Sequence, residues 1–264
     1  MTEQRRNRGW RLLLAPPRRG AENMARDVAL MTRARETRES VFSIYGWTRP
    51  TLSFGRNQQA IGCYNLERMG SLGIETVRRP TGGRALLHHR EVTYSVTAPI
   101  VAGVTLRESY ERINRILLTA LWNLGVRASA AEPDGPAPPL GNSPCFANPS
   151  RGEIISDGRK LVGSAQWRQG GALLQHGSIL IEDDQSLISL VSITPNGDSA
   201  LPAPATLSGA LGRTPSVDEI AGALANAVRE TEDPHARTMD ESEIRDMTLA
   251  ELPRFENELW TWRR

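Results

Sequence analysis

Apolar residues recur at helical spacing along residues 106–124 and form one continuous face there. That face consists of Ile113, Ile116, Leu117, Ala120, Leu121 and Leu124. Thr105 and Glu108 have the spacing of a capping box, in which each residue satisfies a free amide of the first turn. Gly125 follows the last apolar position and can end the helix. The pattern therefore predicts a helix over 106–124.

The same periodicity indicates helices at both ends of the chain. Residues 22–38 place charged residues around a narrower apolar face. Residues 216–231 begin with Ser216 and Glu219, which again match a capping box. We expect the last twenty-five residues to be helical and broken near Pro253, because proline cannot donate the helical hydrogen bond.

Short runs rich in β-branched and aromatic residues predict strands. The runs 41–47 and 51–56 are separated by a few residues, which favours a hairpin with its turn at Pro50. Asp157 and Gly158 are typical of a two-residue hairpin turn. Further strands are predicted at 74–79, 91–98, 152–156, 160–168 and 172–181, and in the segment RRPTGGRALL that ends at His88. The mixed order of strands and helices favours an α/β (α+β) fold, a single-domain mixed β-sheet flanked by helices.

Composition narrows the class of protein. A chain of 264 residues fits one large domain or two small ones, and 39% hydrophobic residues is ordinary for a soluble protein. The longest apolar runs are too short for a membrane span or a signal peptide, so we expect a cytoplasmic protein with no membrane partner. A net charge of +2 and an aromatic fraction of 5% do not favour nucleic-acid binding. The Pro- and Gly-rich segment 133–144 predicts a surface loop.

Lys160 is the single lysine among 32 basic residues. Chance can account for one lysine, but an ammonium is also a compact donor that suits a catalytic site. Cys145 follows a Pro- and Gly-rich segment instead of lying in an apolar run, which makes a filler role less suitable. A nearby ammonium favours the thiolate form of cysteine and can donate to an acyl carbonyl. Cys63 lacks such neighbours and is interpreted as incidental.

Small residues gather in two places where a ligand could approach the backbone. Gly82 and Gly83 precede Ala85, although a plain hairpin turn would use the same glycines. The run Gly163 to Ala165 lies within a predicted strand. Two such places favour a shared pocket. His176 suits a structural role or a ligand contact equally, and the histidines lack the spaced partners of a zinc site.

Four segments, taken together, resemble the lipoate and biotin protein ligase superfamily. They are RRPTGGRALLHHREVTYSV, CFANPS, GRKLVGSAQ and LLQHGSILI. CFANPS ahead of GRKLVGSAQ resembles, within that superfamily, the LipM-type octanoyltransferases. The resemblance covers about residues 10–230. It implies one catalytic domain over 1–264, in which residues 232–264 form a helical tail. It implies a mixed sheet around an acyl-binding tunnel.

The resemblance also implies an activity: transfer of an octanoyl group from acyl carrier protein to a lysine of a lipoyl domain, such as the glycine cleavage H protein. Cys145 would carry the acyl group as a thioester and Lys160 would assist it, with no requirement for ATP or a metal. Substrate-binding positions implied by the family are Arg79, Thr81, Gly82, Gly83, Ala85, His88, Gly163, Ser164, Ala165 and His176.

The sequence departs from the family pattern at two places, and two alternative functions stay open. The family commonly has His-Asp where this chain has His88 and His89, and Trp-Tyr-Glu where it has Arg151, Gly152 and Glu153. An ATP-dependent lipoate ligase that forms an acyl-adenylate would share the glycine and lysine segments but need no cysteine. A non-catalytic relative that binds acylated domains would need neither reactive residue.

Overall fold

The computed structural model of the protein describes residues 9–132, 145–146, 149–193 and 203–264. Within these residues the strands are β1 Trp10–Leu14, β2 Ser40–Tyr45, β3 Thr51–Phe54, β4 Glu75–Arg78, β5 Leu86–His88, β6 Glu91–Pro99, β7 Ser129–Ala130, β8 Ile154–Ser156, β9 Arg159–Gln169, β10 Ala172–Leu180 and β11 Arg237–Thr238. The helices are α1 Gly20–Thr37, α2 Leu66–Ser71, α3 Leu106–Asn123, α4 Ser186–Val191, α5 Leu207–Leu211, α6 Val217–Thr231, α7 Arg245–Glu256 and α8 Glu258–Thr261, with a 3₁₀ turn at Glu241–Ile244.

Among the described residues the strands form two sheets. The larger has eight strands in the order β11-β1-β2-β6-β10-β9-β8-β7, and the smaller has three in the order β4-β3-β5. Strand β1 runs parallel to β2 and to β11. The pairs β2–β6, β6–β10, β10–β9 and β9–β8 are antiparallel. The predicted mixed sheet flanked by helices is therefore confirmed.

Helices cover both faces of the large sheet. Helices α3 and α6 pack on one face, where alternate strand residues such as Phe42 and Tyr94 form the main apolar core. Helix α1 packs on the other face, against β2, β6 and β10. Alternation along β6 and β10 turns Thr93, His176 and Ser178 toward the α1 face, and all three are buried. This face of the sheet is unusually polar for a protein interior.

The predicted hairpin of residues 41–47 and 51–56 is wrong. Strand β2 pairs with β1 on one side and with β6 on the other, so both of its edges are already occupied. Strand β3 instead pairs with β4 and β5 in the small sheet. The residues around Pro50 therefore connect two sheets and do not reverse one pair of strands. The segment RRPTGGRALL is likewise not a continuous strand, because residues 79–85 form a loop between β4 and β5.

The predicted hairpin at Asp157 and Gly158 is confirmed. Both residues have positive φ, 48° and 71°, and they join β8 directly to β9. Such left-handed residues are what a tight turn between twisted strands requires. The capping box of α3 is also confirmed. The Thr105 hydroxyl accepts from the amide of Glu108, and the Glu108 carboxylate accepts from the amide of Thr105.

The predicted helices 22–38 and 216–231 match α1 and α6, but the second capping box is only half formed. Ser216 accepts from the amide of Glu219, as expected. The Glu219 carboxylate pairs instead with Arg213. A charged partner six residues away has replaced the backbone amide that a capping box would use.

The break predicted near Pro253 in the C-terminal residues occurs later. Pro253 lies inside α7, and the helix ends at Asn257, whose side chain accepts from the amide of Leu259 to begin α8. A side chain that caps a new helix therefore ends α7, and proline does not. Helix α7 packs on α1, and the Trp262 ring lies 5.1 Å from the ring of Phe54 in the small sheet, with the planes tilted by 57°. No helix among the described residues is long and apolar enough to cross a membrane. The predicted loop at 133–144 lies outside the described residues.

Candidate active site

A cavity of about 250 Å³ opens beneath the α1 face of the large sheet. Nine of the predicted site residues line it: Arg79, Gly83, His88, Cys145, Lys160, Gly163, Ser164, Ala165 and His176. Thr81, Gly82 and Ala85 are not in the cavity wall but belong to the loop of residues 79–85 beside it. The fold thus brings together residues that are up to about a hundred positions apart in the chain.

Cys145 and Lys160 lie in direct contact in the cavity wall. The Lys160 ammonium donates to the Cys145 carbonyl oxygen at 2.7 Å and lies 3.5 Å from the Cys145 sulfur. The amide of Cys145 donates to the carbonyl of Ala85 at 3.0 Å, which ties the cysteine to the segment before β5. Lys160 itself is only 3% exposed. The ammonium is therefore within hydrogen-bonding distance of the sulfur in the cavity wall.

Glu153 is a third member of this cluster that the sequence interpretation did not assign to the site. Its Oε1 accepts from the Lys160 ammonium at 2.7 Å. Burial alone would lower the pKa of Lys160, but the charges of Cys145 and Glu153 and hydrogen bonds to both outweigh it, so the pKa is raised. Lys160 is therefore cationic at neutral pH. The sequence did contain one indication of this role, because Glu153 matches the glutamate of the family's Trp-Tyr-Glu whereas Arg151 and Gly152 depart from it.

Gly163 leaves the space in which the cysteine lies. A Cβ built on Gly163 would be 3.3 Å from the Cys145 sulfur and 3.2 Å from the Phe146 ring. On β10, where Gly177 pairs with Ser164, a Cβ on Gly177 would collide with the carbonyl of Gly163 and come within 2.8 Å of Tyr94. Gly177 was missed from sequence, because a single glycine in an apolar run carries no marked pattern. The side chains of Cys145 and Phe146 thus lie against the backbone of Gly163, and a ligand contact there stays a prediction.

Arg79 organises the Gly82–Gly83 loop. Its guanidinium donates to the carbonyls of Gly82 and Arg84 at 2.9 and 2.7 Å, and to the hydroxyl of Ser53 at 3.0 Å. Burial lowers the pKa of Arg79, opposed in part by the charge of Cys145. Gly83 has φ of +97°, a conformation that favours glycine. Arg79 thus sets the shape of the loop that forms one side of the cavity.

Thr81 and His176 belong to a buried hydrogen-bonded chain. The Thr81 hydroxyl lies 2.6 Å from His176 Nε2, and His176 Nδ1 lies 2.8 Å from Asp27 on α1. The Tyr45 hydroxyl also donates to Asp27 at 2.9 Å. Burial raises the pKa of Tyr45 well above its usual value, with the charge of Asp27 adding to the effect. Asp27 was not identified from sequence, since one acidic residue in a helix pattern predicts a solvated face.

His88 packs flat against Trp47 in the cavity wall. The ring centroids are 3.9 Å apart with the planes 17° from parallel. His88 Nε2 contacts the Ser53 hydroxyl at 2.8 Å, and Nδ1 contacts Glu91 at 3.1 Å. Burial lowers the pKa of His88, against the opposing charge of Glu91, so a neutral imidazole is favoured. Neutral stacked rings present an apolar surface.

His89, at the position where the family commonly has aspartate, points away from this cluster. Its Nδ1 contacts Asp184 at 2.7 Å, and the side chain is 41% exposed. Cys63 packs beside the small sheet and donates only a weak bond to the Ile61 carbonyl at 3.7 Å. Neither residue lines the cavity.

The cavity follows one row of paired residues across three strands. Gly163 on β9 pairs with Ser178 on β10, and Ser178 pairs with Thr93 on β6. Cys145 lies against the first of these positions, whereas Trp47 donates to the Thr93 hydroxyl at 2.8 Å. Since neighbouring strands are about 4.8 Å apart, the two ends of the row are about 10 Å apart.

Comparison with known proteins places the chain in a family. The family model of the lipoyl protein ligase A/B catalytic domain matches residues 19–229. The chain belongs to this family. Lipoyl protein ligase A/B catalytic domains share the predicted mixed-sheet architecture, so the predicted superfamily membership and fold class are confirmed. Among the residues that the structure describes, no three His, Cys, Asp or Glu side chains are grouped as a metal site requires.

Several members of the lipoyl protein ligase family are similar over most of the chain. Octanoyltransferase LipM of Carboxydothermus hydrogenoformans is 44% identical over 180 residues, which cover 66% of each chain. Octanoyltransferase LipM of Symbiobacterium thermophilum is 38% identical over 235 residues, covering 82% of this chain and 84% of the relative. These names agree with the acyltransferase activity expected from the sequence.

Solved structures of family members superpose on nearly the whole chain. Lipoate-protein ligase A bound with ATP aligns with a TM-score of 0.77 at 21% identity, covering 96% of this chain and 98% of its own. A bi-partite lipoate protein ligase from Thermoplasma acidophilum aligns with a TM-score of 0.74 at 22% identity, covering 96% of both chains. At this level of identity the likeness establishes the fold.

Proposed function

We propose that this protein is an octanoyltransferase of lipoate biosynthesis. It takes an octanoyl group from acyl carrier protein onto Cys145 as a thioester and passes it to a lysine of a lipoyl domain, such as that of the glycine cleavage H protein. Neither ATP nor a metal takes part in the proposed reaction. The observation that carries the proposal is the Cys145 sulfur, 3.5 Å from a buried ammonium in the wall of a cavity.

In the first half-reaction the Cys145 thiolate attacks the carbonyl carbon of the donor thioester. The new carbon–sulfur bond forms as the donor thiolate leaves and takes a proton from solvent. Lys160 has three N–H donors, two of which are directed at the Cys145 carbonyl and at Glu153. The third points toward the sulfur and can donate to the oxygen that becomes negative in the tetrahedral intermediate.

In the second half-reaction the neutral amine of the acceptor lysine attacks the enzyme thioester. The carbon–nitrogen bond forms, the Cys145 thiolate leaves, and the amine proton passes to solvent. Thioester exchange is close to neutral in free energy, whereas formation of an amide from a thioester is downhill. Covalent catalysis therefore divides one transfer into two steps that need no external energy source.

The length of the cavity suits a medium-length acyl chain. An extended chain advances at most about 3.6 Å over three backbone bonds, so the seven carbon–carbon bonds of an octanoyl group span about 8 Å. The row from Gly163 to Thr93 measures about 10 Å by strand spacing. An acyl chain attached to Cys145 would lie along this row and reach the Trp47 ring, which contacts Thr93.

Intact mass spectrometry after mixing the protein with octanoyl-carrier protein tests the proposal. We expect one octanoyl adduct on the native chain, the same adduct on Cys63→Ala, and none on Cys145→Ala. Cys63→Ala is the matched control, because it removes the second thiol of the chain and leaves the cavity unchanged. Adding a lipoyl-domain protein should then move the octanoyl mass to that domain without ATP.

Two results would contradict the proposal. Transfer from free octanoate or lipoate that requires ATP and survives Cys145→Ala would indicate an ATP-dependent ligase acting through an acyl-adenylate. Binding of acylated domains without any covalent adduct or transfer would indicate a non-catalytic relative.

A further inference from the structure

The Glu153 carboxylate is fixed in place from several directions. Its Oε1 accepts from the Lys160 ammonium, and its Oε2 accepts from the amide of Ser150, each at 2.7 Å. Its own amide donates to the Ser150 carbonyl at 3.0 Å, and its carbonyl accepts from Ala131 at 2.8 Å. The side chain is 12% exposed. A carboxylate held by this many partners keeps one orientation toward the ammonium.

Few charged groups surround the Lys160 ammonium. Within the described residues its direct charged contacts are Cys145 and Glu153, and the Phe146 ring centroid lies 5.3 Å away. Arg79 lines the same cavity and interacts with the charge on Cys145. Tyr110 interacts electrostatically with Glu153 and is neutral, because burial raises its pKa. The charge of Lys160 is therefore balanced by one sulfur and one carboxylate.

Acylation changes this balance. When Cys145 becomes a thioester, its sulfur can no longer carry negative charge, and Lys160 loses one of its two charged partners. An ammonium that is 3% exposed is costly to keep charged without a counterion, because burial favours its neutral form. Glu153 is then the remaining carboxylate in contact with it.

We propose that Glu153 is a positioning residue that keeps the Lys160 ammonium charged and directed at the reacting carbonyl while the enzyme is acylated. Glu153 consequently matters more for the second half-reaction than for the first. In the first half-reaction the Cys145 thiolate itself holds the ammonium. This inference rests on the proposed octanoyl transfer and deepens it.

Measuring the two half-reactions separately tests the inference. The variants are Glu153→Gln, which removes the charge and keeps the size, Glu153→Asp, which keeps the charge, and the control Glu111→Gln on the exposed part of α3. Acylation of Cys145 by octanoyl-carrier protein and aminolysis of the isolated acyl-enzyme by a lipoyl domain are each followed by mass from pH 6 to about 11.5, so that the range includes the ordinary pKa of lysine. Thermal melting of each variant shows that it is folded.

For Glu153→Gln we expect acylation within about threefold of the parent and aminolysis slower by about tenfold or more at pH 8, as loss of a hydrogen bond to a charged group predicts. Removing the carboxylate lowers the pKa of the ammonium, so the alkaline loss of aminolysis should begin at lower pH. Glu153→Asp should keep the alkaline limb near that of the parent, and Glu111→Gln should match the parent throughout.

Equal slowing of both half-reactions, or an alkaline limb that does not move in Glu153→Gln, would overturn the inference and leave Glu153 a structural residue. If Glu153→Gln does not melt cooperatively, Glu153→Ala gives the same comparison. Absence of any Cys145 adduct on the parent protein would instead count against the octanoyltransferase proposal, so the two failures are distinguishable.

Discussion

Gly163→Ala is the substitution that most directly tests how the Cys145 sulfur is held. The new Cβ would lie 3.3 Å from the Cys145 sulfur and 3.2 Å from Cζ of Phe146, each tighter than an ordinary contact. Both neighbours must therefore move by a few tenths of an ångström. Because Lys160 contacts the same sulfur at 3.5 Å, that movement changes the distance on which the proposed chemistry depends.

The expected cost is small for folding and larger for reactivity. Adding a methyl group to a packed site costs about 1–3 kcal/mol, and replacing glycine within a strand returns about 0.5–1 kcal/mol. A net loss of about 1 kcal/mol corresponds to about 2–4 °C in melting temperature for a chain of this size. Misplacing reacting groups by about 1 Å costs about a hundredfold in rate, so we expect acylation of Cys145 to slow by about tenfold or more.

The assay compares the rate of octanoyl adduct formation with the melting temperature of the same variant. Gly222→Ala is the matched control, because Gly222 lies on the exposed side of α6 and an added Cβ there would meet nothing within 4 Å. Alanine there should raise stability by up to about 1 kcal/mol and leave acylation unchanged. Acylation of Gly163→Ala at the parent rate would refute the idea that Gly163 sets the position of the sulfur.

Two more substitutions test the wall of the cavity. Gly83→Ala should destabilise the protein by about 1–2 kcal/mol, because alanine disfavours a left-handed backbone and its Cβ would be 2.7 Å from the Arg79 guanidinium. Thermal melting measures this loss. The control Gly82→Ala should show no such loss, because a Cβ at Gly82 would meet nothing within 4 Å. Trp47→Ala should lengthen the cavity, so that dodecanoyl-carrier protein acylates the variant more readily than the parent. An unchanged preference among octanoyl, decanoyl and dodecanoyl donors, measured by adduct mass, would show that Trp47 does not limit chain length.

Local sequence signals predicted the elements that depend on local physics. Asp157 and Gly158 specify a tight turn by themselves, because two successive residues tolerate positive φ there. Thr105 and Glu108 cap α3 through bonds that span three residues. In both cases the partners are near neighbours in the chain, and the spacing of letters contains the structural information.

Features that depend on distant partners were not predictable in the same way. The runs on either side of Pro50 look like a hairpin, but the pairing of β2 with β1 and β6 leaves it no free edge. Asp27 becomes part of the site only because α1 packs where His176 emerges from β10. Gly177 acquires its role from the facing carbonyl of Gly163. Each of these roles is created by the tertiary fold.

The proposed catalytic pair, Cys145 and Lys160, lies between these two cases. Residue type and resemblance predicted that Cys145 and Lys160 act together. In the structure Lys160 lies on β9, which a hairpin joins to β8, and its ammonium contacts the Cys145 sulfur, which is consistent with that prediction. Their third partner, Glu153, precedes the same hairpin, yet an isolated glutamate near a strand predicts only a solvated surface. Its burial beside an ammonium is visible only once β8 and β9 are paired.

Arg78 links α8 to the loop of residues 79–85 beside the cavity. Its guanidinium is fully buried and donates to the carbonyls of Gly55, Gln58 and Thr261 at 2.7 to 2.8 Å. Burial, followed by repulsion from nearby arginines, lowers its pKa to about 10. Arg78 directly precedes Arg79, which shapes the glycine loop of the cavity. Removal of α8 would therefore expose the Arg78 guanidinium, at the start of that loop, to water. A truncation far from Cys145 would in this way loosen the cavity wall beside the sulfur.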